Sequence, residues 1–278
     1  EYMYNSRLCL HVRGELDMLL HAAGDTHAFV HTQKLRLDNL VAYGTNSCAR
    51  PEICTKNEYV SRVTFPGSLT SWRSRGSASV RSGHDELQLT ADSAERGAVW
   101  AMSAVSVVDS WTATFEFQVE DVGFFNIGYG DGFTFTVQHS STSALGSRCT
   151  LQSFCHGYAG IPDSLAIMVD IYFENEILVF HNGKTEKAKA LKHTDLLRGS
   201  SLDDGGWHGM KVVYSSKSHR LWVYVDDLEV PLFFIPINMG NYTDASGKAY
   251  LGFTASTGNT AYAGFSVRKF NFESAATS

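Results

Sequence analysis

A chain of 278 residues is long enough for one large all-β domain or two smaller ones, and burying a substantial core is no obstacle at that length. Its 23 basic and 29 acidic residues leave a formal charge of −6, so there is no basic field to draw nucleic acid or an anionic bilayer. No apolar run approaches the ~18 residues that span a bilayer, which speaks against membrane insertion.

The opening stretch EYMYNSRLCLHVRGELDMLLHAAGD is broken by charges every few positions and reads as neither a membrane span nor a signal peptide. Because it starts on Glu1 rather than Met, the chain is expected to be a processed or excised piece of something longer. Within residues 1–60, RLCLHV, ELDMLLH, HAFVHT and KLRLDNLV look like short strands separated by turns such as AAGDT. They are expected to form a β-rich N-terminal extension or the tail of a preceding domain. No repeat period ties them to the remainder, and no low-complexity tract occurs. His27 and His31 have the i, i+4 spacing of zinc proteases, but the Glu of H-E-x-x-H is missing and the run is strand-like, so both are expected to face solvent.

Five cysteines stand at Cys9, Cys48, Cys54, Cys149 and Cys155, and CARPEIC and CTLQSFC share the spacing C-x5-C. Loops this short close without strain, so local disulfides Cys48–Cys54 and Cys149–Cys155 in an oxidising compartment are the preferred reading, with Cys9 left over. Five reduced thiols are the alternative. Zinc is disfavoured because no third and fourth ligand has finger-like spacing.

From residue 111 the pattern is that of strands. In WTATFEFQV, Trp111, Ala113, Phe115, Phe117 and Val119 alternate with polar residues, a period of two that buries one face and wets the other. FTFTVQ repeats it with Phe133, Phe135 and Val137 inward, and MKVVYSSKSHRLWVYVDD reads as a hairpin turning at SSKSHR. TEKAKALKHTDLLRG, near 185–199, is the one plausible short helix, and a charged surface loop is its alternative because the apolar stripe is weak. With 24 glycines marking turns, the reading is an all-β sandwich. Asn241, in Asn-Tyr-Thr, is the only N-x-S/T acceptor, expected to be exposed and open to glycosylation in a secreted or surface protein. Five Trp, 12 Tyr and 17 Phe chiefly supply the core of so large a sandwich.

Four stretches in order resemble the L-type (legume-lectin-like) family: YVSRVTFPGSL with HDELQLTADSAERGAVW, then GDGFTFTV, then GYAGIPDSLAIMVDIYFEN, then YLGFTASTGNTAYAGFSVRKFNF. The resemblance implies a concanavalin-like jelly roll of two antiparallel sheets over residues 61–278, its matched part running from about Phe65 to Phe272, with a carbohydrate site at the loop ends. It also implies that Asp131 accepts hydrogen bonds from sugar hydroxyls, next to Gly132, after a non-proline cis peptide at Gly130. Tyr172 and Asn175 fall in the matching segment, and Thr257, Gly258, Asn259 and Thr260 match the closing sugar loop. Plain hairpin turns at Gly130–Gly132 and in ASTGNTAY are the structural alternatives.

In the family a Ca²⁺ and a transition metal hold that site through E-x-D-x-Y/F-x-N and a following Asp and His. Here the first carboxylate is Met168, a thioether that does not ligate Ca²⁺; Asp170 and Tyr172 match, Glu174 stands where the Asn would be, and Asn175 is displaced by one. The chain then passes directly into EILVFHNGK, where His181 reads as an alternating strand residue. No metal is therefore expected, Ca²⁺ is disfavoured, and no other cofactor is implied. Glycosidases on this sandwich need paired carboxylates, and Met168 falls on the nucleophile position. No G-x-S-x-G elbow is present, so an enzyme is not expected. The chain reads as a carbohydrate-binding module of an extracellular, cell-surface or secretory-pathway protein, with a glycan or glycoprotein as partner. The alternative is a non-catalytic structural module on a lectin fold, contacting other protein subunits of a larger assembly.

Overall fold

The computed structural model describes residues 9–12, 40–43, 59–64, 71–81, 85–121, 130–147, 155–172, 175–195, 202–259 and 263–275. The chain divides into two compact units, Glu1–Lys56 and Asn57–Ser278. In the first, β1 (Cys9–Val12) and β2 (Leu40–Tyr43) pair antiparallel, Cys9 opposite Tyr43. His27, His31, Cys48 and Cys54 lie outside the described residues.

The second unit is built of β3 (Tyr59–Thr64), β4 (Trp72–Gly76), β5 (Ser79–Arg81), β6 (Glu86–Thr90), β7 (Arg96–Ala101), β8 (Val105–Ser106), β9 (Trp111–Asp121), β10 (Gly132–Gln138), β11 (Ser164–Asp170) and β12 (Glu176–His181). It continues through β13 (Lys192–Asp195), β14 (Trp207–Ser215), β15 (Arg220–Val225), β16 (Phe233–Pro236), β17 (Lys248–Ser256) and β18 (Ala263–Ala275). β3 crosses the expected boundary after residue 60 and pairs with β18.

Two eight-stranded antiparallel sheets face each other. The front sheet runs β13-β12-β11-β10-β17-β7-β4 with β8 beside β17; the back sheet runs β16-β15-β14-β9-β18-β6-β5 with β3 beside β18. This is the all-β jelly-roll sandwich that the alternating segments and the resemblance implied. The inward rings of β9, β10 and β17 make its centre: Phe117 meets Phe133 at 4.9 Å between centroids, and Phe115 meets Phe253 edge-on at 5.0 Å. Each fully buried Phe stabilises by about 1.5–3 kcal/mol relative to exposure.

On β9 the alternation is as the sequence predicts, with Trp111, Ala113, Phe115, Phe117 and Val119 inward. On β10 and β11 every residue is buried, because a second apolar layer lies on the outer face of the front sheet. There Trp100, Tyr158, Ile161, Met168, Leu178 and Phe180 pack together under the connection between β10 and β11. Trp100 Nε1 donates to the Ala144 carbonyl at 2.8 Å, and Arg73 and Arg75 donate to the Thr142 and Ser143 hydroxyls, so this connection is strapped across β7 and β4.

The hairpin read from MKVVYSSKSHRLWVYVDD is β14–β15, with Ser215 opposite Arg220. The segment near 185–199 departs from both of its readings. A single 3-10 turn at Lys187–Lys189 is followed by β13, whose Thr194 lies opposite Ile177 of β12. An open ladder on β12 offers backbone partners that a short helix without an apolar stripe does not match.

Candidate functional site

Strand register brings one end of the front sheet together. Gly132 on β10 lies opposite both Asp170 on β11 and Ser256 on β17, Ser256 lies opposite Arg96 on β7, and Asp170 lies opposite Glu176 on β12. The residues just beyond these positions, Asp131, Tyr172, Asn175 and Thr257–Asn259, therefore sit at the same rim.

Asp131 is half-buried and follows a cis Gly130–Asp131 peptide, where the resemblance placed one. Its N–H donates to the Ser256 carbonyl at 3.0 Å, and its own carbonyl accepts from the Ile171 N–H at 3.2 Å. The Ser256 hydroxyl donates to Asp131 Oδ2 at 3.2 Å. A partly exposed carboxylate so fixed is a directed acceptor for hydroxyl donors. Tyr172 is 41% exposed and packs on Gly130: a Cβ there would come within 2.7 Å of Tyr172 Cδ2. An aromatic face thus stands beside the carboxylate.

The closing loop is pinned from below. Thr257 is buried; its hydroxyl donates to the Asp92 carbonyl at 2.7 Å and accepts from the Glu95 N–H at 2.9 Å. The Gly258 carbonyl accepts from the Ala94 N–H at 2.8 Å, and Asn259 is exposed at the tip. Thr260 lies outside the described residues. Asn175, half-buried just before β12, accepts from the Leu202 N–H through its Oδ1 at 3.3 Å, which ties down the chain beyond β13.

The described residues beneath the rim do not fit a Ca²⁺ centre. Met168 is fully buried among Trp100, Leu178 and Phe180. Asp170, 2% exposed, has its Oδ1 3.4 Å from Nε2 of the equally buried His156. Buried Glu176 is paired with Lys187. Among the described residues no three His, Cys, Asp or Glu side chains converge as a metal-binding group, and Glu174 lies outside those residues. Ca²⁺ prefers six to eight oxygens. The donor set described here does not fit it.

His181 ends β12 on the side of the core-facing Ile177 and Val179, its ring edge-on to that of Tyr242 at 6.5 Å, and burial, then the charge of Lys184, lowers its pKa below the ordinary imidazole value. Asn241 is exposed in the 3-10 turn Met239–Tyr242. Cys155 is buried, and Cys149 lies outside the described residues. Sequence reasoning missed His156, Ser256 and the Glu176–Lys187 pair. The Glu176 position was legible in principle, because a tight β11–β12 hairpin places it opposite Asp170; nothing in the spacing around His156 marks it.

The legume lectin domain family matches residues 64–278. A comparison with curated protein sequences gives no match. Among solved structures, lectin II from Ulex europaeus is similar at 16% identity and a TM-score of 0.63, over 79% of this chain and 100% of that one. Basic winged bean lectin with Tn-antigen is similar at 16% identity and a TM-score of 0.61, over 78% and 98%. The exoplasmic/lumenal domain of VIP36 in its Ca²⁺/Man3GlcNAc-bound form is similar at 18% identity and a TM-score of 0.58, over 80% and 92%. At these identities the likeness carries the fold. The chain belongs to the legume lectin domain family.

Proposed function

We propose that the sandwich domain is a carbohydrate-binding, non-enzymatic module that works without Ca²⁺ in the secretory pathway or outside the cell. The observation that carries this reading is the meeting of Asp131, held by Ser256, with the exposed ring of Tyr172 at the rim closed by Thr257–Asn259. A carboxylate accepts from sugar hydroxyls, and an aromatic face stacks on the apolar face of a pyranose. Asn259 supplies an exposed amide that both donates and accepts. The setting is supported by the lumenal domain of VIP36 and the plant lectins among the similar folds. The absence of a convergent donor set among the described residues supports Ca²⁺ independence.

A second reading, a protein-contacting scaffold that has lost sugar binding, is favoured by one observation: the side-chain oxygen of Asn175 is engaged within the chain, by the Leu202 N–H. Probing an array of N-glycan and O-glycan oligosaccharides in EDTA, with the wild-type chain and Asp131→Asn, separates the two. The proposal expects wild-type binding that the variant loses. Binding by neither, or equal binding by both, rejects it.

A further inference from the structure

The rim is built on β10, β11 and β17, and among the described residues the carboxylates beneath it do not assemble as a metal-binding group. We propose that His156 is the positioning residue that joins these strands under Asp131: its imidazole, carried in by the β10–β11 connection, packs on β10 and β11, and its main chain holds β17.

Three contacts converge on this one residue. Nε2 lies 3.4 Å from Oδ1 of Asp170, at the last position of β11. The ring fills the space under Gly132: a Cβ there would stand 2.4 Å from both Nε2 and Cδ2 of His156, as well as 2.1 Å from the Val169 carbonyl. Only glycine lets the imidazole reach the strand that starts directly after Asp131. The carbonyl of His156 accepts from the Thr254 hydroxyl of β17 at 2.7 Å, and Thr254 in turn bonds the Thr134 hydroxyl of β10 at 2.8 Å.

The backbone delivering the ring is committed to this task. His156 adopts φ 45° and Gly157 φ 68°, and a Cβ on Gly157 would meet the Ala255 carbonyl at 2.5 Å. A left-handed pair pressed this closely on β17 is an arrangement that other residue types resist. His156 itself is 1% exposed, so it contacts no ligand and acts only through Asp170, Gly132 and Thr254. Each of these neighbours leads to the rim: Asp170 accepts from the Tyr172 N–H at 3.3 Å, Gly132 follows Asp131, and Thr254 lies two residues before the Ser256 that holds Asp131. A fixed residue then does locally what a divalent ion does in a coordinated loop, joining segments distant in sequence.

The inference rests on the carbohydrate reading for its consequence, and the test keeps the two apart. Amide hydrogen exchange is measured for Asp131 and Ile171, whose N–H groups close the rim, and for Val212 of the back sheet, in wild type, His156→Ala and His156→Gln. With His156→Ala the rim amides are expected to lose protection by about tenfold or more while Val212 is unchanged; His156→Gln, which keeps a donor, restores part of it. Millimolar Ca²⁺ is expected to leave wild-type protection as it is in EDTA. Unchanged rim protection in both variants overturns the proposal, as does a Ca²⁺-driven rise in wild type. If His156→Ala does not fold, the same amides in His156→Gln decide, since wild-type protection or a loss spread to Val212 rejects a local clamp. On the oligosaccharide array, loss of binding by His156→Ala joins the two readings. If the wild type binds no glycan while the exchange result holds, the carbohydrate reading fails and the clamp stands.

Discussion

The hydroxyl of Ser256 donates to Oδ2 of Asp131 across 3.2 Å, tying the last residue of one strand to the residue before another. Ser256 is fully buried and Asp131 is not, so one oxygen of the carboxylate is aimed from inside while the group still reaches solvent. Replacing Ser256 by Ala removes one hydrogen bond, worth about 1.5–3 kcal/mol when one partner is charged. Weaker binding of any glycan captured by the wild type is the expected outcome, with the domain still folded. Titration by calorimetry reads it, and an unchanged affinity would show that Asp131 is aimed without this hydroxyl.

Tyr158 anchors the outer layer of the front sheet. Its hydroxyl meets the Ser164 hydroxyl at 2.8 Å and accepts from the Gly183 N–H at 3.1 Å. Burial, the largest cause, pushes its pKa up to about 12 against the pull of those bonds. The folded state thus holds the phenol proton more tightly than the unfolded chain does. The associated stability is complete below the ordinary Tyr pKa near 10 and is lost as pH rises through about 12. Tyr158→Phe is expected to cost about 1–3 kcal/mol at neutral pH by leaving Gly183 and Ser164 short of a partner. It is also expected to flatten the alkaline limb, which urea melts across pH 8–11 would read.

His208 is bracketed by two carboxylates: Nε2 lies 3.1 Å from Asp204 Oδ1 and Nδ1 lies 3.1 Å from Asp226 Oδ2. The Gly206 N–H, first, and then His208 hold Asp204 below the usual carboxylate range. A lowered folded pKa contributes stability above the unfolded value that is lost as pH falls through the folded one, so this pair weakens on the acid side. Asp204 is exposed, and the effect is expected to stay below about 1 kcal/mol. Comparing acid melts of wild type and Asp204→Asn checks it; a steeper acid limb in the variant would reverse the sign.

How much of this was legible depends on which face of each strand is wet. Trp111 to Val119 announced themselves because one side of β9 faces water, whereas Ser164–Asp170 is buried on both sides and carries no alternation to read. Asp131 and its cis peptide came through resemblance rather than through pattern. His156 was invisible for a physical reason: its partners Asp170, Gly132 and Thr254 lie 14, 24 and 98 residues away, and only the completed sheet brings them together. Lys192–Asp195 shows the opposite failure, a charged segment without strand character that an open edge recruits.

Two covalent expectations are open to mass spectrometry. Cys155 is buried, and C-x5-C spacing nominates Cys149 as its disulfide partner, with Cys48–Cys54 as the equivalent short loop. Unreduced peptide maps should show both links, and an exposed Asn241 in Asn-Tyr-Thr should carry glycan when the chain is made in a secretory host. Alkylation of all four thiols without reduction would remove the disulfides and the support they lend to an oxidising compartment.

The remaining expectation concerns Ca²⁺ and the melting temperature. A ligand that binds only the folded state adds about 2.7 kcal/mol at one hundred times its Kd. For a domain of this size that corresponds to a shift of about 5–11 °C, at about 2–4 °C per kcal/mol. Here the places of ligands are taken: Met168 is packed among apolar side chains, Asp170 faces His156, and Glu176 is paired with Lys187. Opening any of these would expose a buried charge or empty an apolar site, each costing several kcal/mol, against a cation that would gain only two or three oxygens. Scanning calorimetry in excess EDTA and in millimolar Ca²⁺ is therefore expected to give the same melting temperature. A rise of several degrees with Ca²⁺ would mean that Asp131, Asp170 and Glu176, or Glu174 beside them, assemble a centre after all, and the clamp at His156 would have to yield to it.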